Sequence, residues 1–117
     1  MLIIRKAQME ALERTELRKF EERVYQSLQR HWPAGVAARG EASVRASIRH
    51  GIERARTYGL TSEREIFTYI NLMYCHADDF DRSPEYPWAA EILADPKLEP
   101  GAKVERLVQR TLDLRES

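Results

Sequence analysis

Six side chains able to ligate a metal or move a proton fall close together in the stretch YCHADDFDRSPEYPW: Cys75, His76, Asp78, Asp79, Asp81 and Glu85. Calcium is the first chemistry to weigh, because Asp79, Asp81, Ser83 and Glu85 alternate as the oxygen ligands of an EF-hand loop do. The pattern then fails. Its sixth position needs glycine for a sharp turn and holds Pro84, and its twelfth needs a bidentate glutamate and holds Ala90, with Glu91 one place late. Zinc would require Cys75 and His76 to converge with the aspartates, or with His31 and His50. Neighbours on a helix point about 100° apart, and there is no CxxC, HxxxH or HExxH spacing. Paired carboxylates could do acid–base work if burial split their pKa values. Asp78, Asp79 and Asp81, however, lie in a loop rich in Ser, Pro and Arg, and are expected to stay in water, cap helix ends and make Asx turns while Phe80 and Trp88 pin the loop to the core.

Nucleophilic chemistry has equally little to work with. Cys75 ends the most apolar segment of the chain, where burial raises a thiol pKa and leaves it inert. No GxSxG, Walker loop or dinucleotide fingerprint is present. The expectation is a non-enzymatic protein with no catalytic residue, metal or cofactor.

Five basic residues against two acidic ones occupy 33–60, and two against seven occupy 76–100, although the whole chain carries zero formal charge. Within the basic segment, Arg45, Arg49 and Arg56 fall on about one broad helical face. Such a ridge could bind RNA or DNA, but zero net charge and the lack of a helix-turn-helix pattern argue against it. A ridge and an acidic loop together favour oriented association with a charged protein. Tyr25, Trp32, Tyr58, Tyr86 and Trp88 add aromatic side chains of the kind that anchor interfaces, unless they complete the core. The expected partner-binding residues are Arg45, Arg49, Arg56, Asp78, Asp79, Asp81, Tyr86 and Trp88. A metal-dependent enzyme built on His76, Asp78, Asp79 and Asp81, and a nucleic-acid binder using the 45–56 ridge, are the alternatives.

These side chains must be positioned by helices. At 117 residues, 43% apolar and 32% charged, the chain is expected to form one soluble helical domain, 1–117. No apolar run approaches the ~20 residues of a membrane span. Leu2, Ile3 and Ile4 are followed at once by Arg5 and Lys6, too short for a signal-peptide core, and with a single cysteine this points to the cytoplasm. Helix formers without Gly or Pro run from Arg5 to Trp32, with an apolar stripe of Leu17, Phe20, Val24 and Leu28. The five-residue step from Leu12 to Leu17 marks a bend or a change of partner near Arg14 and Thr15.

Pro33 to Arg39 reads as a short helical piece closed by Gly40 in a left-handed cap. A helix from about Glu41 to Tyr58 carries Val44, Ile48, Ile52 and Ala55, with Gly51 inside it where a close helix crossing would explain the glycine. Gly59 closes it, and Ser62 with Glu65 forms a capping box for a central helix reaching His76. Pro87 opens a short helix through Leu93, stopped by Asp95 and Pro96. Pro100 starts a last helix that buries Val104, Leu107, Val108, Thr111 and Leu112. The fold expected is all-α, an irregular bundle of about five helices.

Two strings in these elements are distinctive: HGIERARTYGLTSEREIFTYINLM, which with the preceding Arg49 gives RxGIxRAxxYGxT, and DDFDRSPEYPWAAEILADPKL, which contains DFDxxPxxPWAxxIL. With the opening MLIIRKAQMEALE, the chain resembles a group of small helical bacterial proteins encoded beside effector or spike genes of the type VI secretion system. The resemblance covers nearly the whole chain and attaches no chemistry to its motifs. It implies an accessory role as immunity protein, adaptor or chaperone, with a secreted effector or toxin as the partner.

Overall fold

The computed structural model describes the backbone of residues 6–116 and the side chains of residues 14–115. Helix formers fill α1 (Lys6–His31), and five further helices follow: α2 (Pro33–Arg39), α3 (Glu41–Thr57), α4 (Glu63–Cys75), α5 (Pro87–Ala94) and α6 (Pro100–Glu116). Among the described residues there is no strand. The all-α expectation holds, with α2 standing as a separate short element. Among these residues no helix is long and apolar enough to cross a membrane.

The helices divide into two compact units, residues 1–45 and 46–117, the division falling inside α3. In the first unit α1 continues unbroken through Arg14 and Thr15, so the break in the apolar pattern is not a break in the helix. Phe20, Val24 and Leu28, at four-residue steps, are buried, whereas the side chains of Met9 and Leu12 lie outside the described residues. Trp32 N–H still donates to Leu28 O at 2.7 Å, after which Pro33 opens α2 because its ring needs no N–H partner there. At Gly40 φ is 83° as a glycine cap requires, but ψ is 157°, so the chain leaves α2 extended rather than in a left-handed turn.

In the second unit α3 ends in a Schellman motif. Leu60 N–H donates to Ala55 O and Gly59 N–H to Arg56 O, both at 3.0 Å; Gly59 has φ 83° and Leu60 is buried. Lys103 Nζ of α6 donates to the Tyr58 carbonyl at 3.0 Å, adding a cation where the helix dipole is negative. Ser62 and Glu65 then form the expected capping box, with both reciprocal bonds made. A Cβ on Gly51 would stand 2.7 Å from both Ile70 Cγ1 and Met73 Sδ, so glycine is what lets α3 and α4 cross this closely. The Ser47 and Tyr74 hydroxyls pair at 2.8 Å along the same crossing. α6 packs on both α4 and α5. The expected buried face of α6 is narrower than its apolar pattern: Val108 is only half-buried and Leu112 is 47% exposed. Leu112 lies about 140° round the helix from Leu107, off the stripe of Val104, Leu107 and Thr111.

Candidate functional site

Phe80 and Asp81, at the centre of the acidic connector, are both buried, at 0% and 1% exposure. A hydrophobic side chain there seats the loop; an acid beside it must find partners, since an unpaired buried charge is costly. α3 supplies them. Arg54 and Tyr58 lie one helical turn apart on its last turns, and both donate to Asp81 Oδ2: Arg54 through Nη2, and the Tyr58 hydroxyl at 2.5 Å. Tyr69 of α4 closes the cluster. Its ring centroid lies 5.2 Å from that of Phe80 and 6.4 Å from that of Tyr58, and its hydroxyl is beside Arg54 without a hydrogen bond of acceptable geometry.

Burial works against the Arg54 charge, but the Asp81 hydrogen bond and charge prevail and its pKa lies above the ordinary value. Tyr58 is raised by burial and then by its bond to Asp81; Tyr69 is raised mainly by burial, with the Asp81 charge adding to it. Both phenols are held neutral, as Tyr58 must be to donate. Asp81 is therefore corrected on two counts: it is not in water, and it cannot present its carboxylate to a partner.

His76, the C-cap residue of α4, joins the loop to α5 and α6. Its ring centroid is 4.7 Å from Tyr86, 5.5 Å from Trp88 and 5.8 Å from Phe80. The Thr111 hydroxyl spends its one hydrogen on Leu107 O at 2.9 Å, so the 2.9 Å contact with His76 Nε2 must have the imidazole as donor. Burial, and then the positive charge of Arg115, lower the His76 pKa and so favour the neutral ring. Burial raises the Cys75 thiol, only partly opposed by Arg115, whose Nη2 is 3.9 Å from Sγ. Among the described residues no group of three or more His, Cys, Asp or Glu is placed to hold a metal ion.

The other expected residues have different fates. Asp79 is exposed and meets His50 of α3 at 3.1 Å, while Asp78 is half-buried and engaged. Tyr86 and Trp88 are half-buried, Tyr86 tilted against His76 and Trp88 meeting it edge to face. Arg49 and Arg56 are exposed. Arg45 is occupied within the first unit, donating to Glu22 at 2.9 Å and Glu41 at 3.0 Å and lying 4.2 Å over the Tyr25 ring. Those two hydrogen bonds raise its pKa. The basic and acidic segments meet in the second unit through His50 and Arg54 of α3, which touch Asp79 and Asp81 of the loop, whereas Arg49 and Arg56 lie about 140–160° round the helix from Arg54.

Taken singly, Arg54 and Tyr69 carry no sequence signal of this role, and Tyr58 stands out in the sequence only as an aromatic able to anchor an interface or complete the core. The one-turn spacing of Arg54 and Tyr58 was a usable signal, but nothing in the sequence says which aspartate they meet. An open groove of about 520 Å³ between α4 and α6, lined by Arg64, Glu65, Thr68, Glu105, Val108 and Gln109 among others, was also not foreseen. No protein-family model, curated protein or solved structure matches the chain significantly.

Proposed function

We propose that this chain is a protein-binding accessory module acting in the cytoplasm, an immunity protein, adaptor or chaperone for an effector or toxin of a type VI-like secretion system. The observation that carries the binding part of this reading is the held connector. Asp81 and Phe80 hold it against α3 and α4 while Asp79, Arg82 and Glu85 stay exposed and Tyr86 and Trp88 half-exposed, and Arg49 and Arg56 are exposed elsewhere on α3. A charged and aromatic surface whose backbone is already ordered loses little entropy on association, which favours specific binding. The secretion context rests on the sequence resemblance alone.

Co-expression with the effector encoded beside it tests the reading. A stoichiometric complex is the expected result, and two proteins that elute apart would refute it. Rescue of cells from a toxic effector would identify immunity; dependence of effector solubility or export on this chain would identify a chaperone or adaptor.

A further inference from the structure

Three polar atoms of the Asp81 cluster are buried with no hydrogen-bond partner: Arg54 Nε, the Tyr69 hydroxyl and Asp81 Oδ1. Native proteins pair almost all such atoms, with protein or with ordered water. The three needs are complementary. Arg54 Nε–H can only donate, Asp81 Oδ1 can only accept, and the Tyr69 hydroxyl can do either. Their positions are also tied together. Arg54 Nη2 and the Tyr58 hydroxyl both sit on Oδ2 of the same carboxylate, so Oδ1 and Nε flank that contact, and the Tyr69 hydroxyl lies beside Arg54. The side chains of Arg54 and Asp81 are only 14% and 0% exposed.

We propose that this cluster is a binding site for one ordered water molecule. The water accepts from Arg54 Nε–H and from the Tyr69 hydroxyl and donates to Asp81 Oδ1. A buried water typically makes about three such bonds. Water fits where an ion does not, because a cation would face the Arg54 charge and an anion the Asp81 charge. The bound water joins α3, α4 and the connector through a single centre, so it belongs to the device that holds the loop.

A high-resolution crystal structure of the full chain is the direct test. One well-ordered water within hydrogen-bond distance of all three atoms is the expected result. A carboxylate turned so that Arg54 Nε or the Tyr69 hydroxyl bonds Oδ1 directly, with no water between them, would overturn the assignment. In solution, oxygen-17 relaxation dispersion should report a long-lived water in the wild type. Its residence time should fall about tenfold in Tyr69→Phe, the factor set by one lost hydrogen bond. Equal residence times in the two proteins would overturn it as well.

Discussion

Asp81 shows how one residue in a run of like residues can have a separate task. By sequence it resembles Asp78 and Asp79, yet it is 1% exposed while Asp79 stands on the surface. Replacing Asp81 with Ala leaves Arg54 charged, largely buried and unpaired, and should lower unfolding free energy by about 3 kcal/mol in urea titration. Asp79→Ala should cost well under 1 kcal/mol, because its contact with His50 is exposed and such pairs are worth little. Equal losses from the two substitutions would contradict the assignment of distinct roles. The difference was not legible in the sequence, since it depends on Phe80 turning that segment inward and on Arg54 and Tyr58 arriving from a helix more than twenty residues earlier. Residue type gives the chemistry that is available; burial decides which copy uses it.

At the scale of elements, local signals were the readable ones. The junction YGLTSERE held in both halves, a glycine-closed α3 and a Ser62–Glu65 capping box, because caps depend on residues a few positions apart. Gly51 was legible as a packing residue because a helix tolerates a central glycine only for a reason. Leu112 was not, since apolar spacing along a helix does not reveal where its neighbours stop. Gly51→Ala sets about 1 kcal/mol of helix propensity against overpacking that costs about 1–3 kcal/mol. With Ile70 Cγ1 and Met73 Sδ both 2.7 Å from the added carbon, overpacking should prevail and thermal unfolding should show a net loss of about 1 kcal/mol. Gly101→Ala meets nothing closer than 3.9 Å and should instead gain about 0.5 kcal/mol. The opposite signs, read in one set of melting curves, check the α3–α4 crossing.

At the scale of the whole molecule, the connector ties α3, α4, α5 and α6 together and is the surface proposed to bind. The His76 pKa is lowered by burial and Arg115 from a value of 6.5, so the unfolded chain takes up the proton first. Stability from this residue is present above the unfolded value and is lost as pH falls through it toward the folded one. The melting temperature should drop as the pH falls from about one unit above 6.5 to below it, and His76→Gln should shallow that slope by removing the titrating ring. An unchanged slope would show that His76 stays outside the linkage. The alternation of basic and acidic segments was visible from the start, but their adjacency was not, because it follows from His50 and Arg54 meeting Asp79 and Asp81. The central claim is the proposal that the exposed charge of the connector and of the Arg49–Arg56 face of α3 binds a protein partner. It is tested most directly by measuring affinity for the effector proposed as its partner with the wild type and with the Arg49→Glu, Arg56→Glu double variant, checking that both melt alike. The expected result is loss of binding at unchanged stability; full affinity in the double variant would contradict the account.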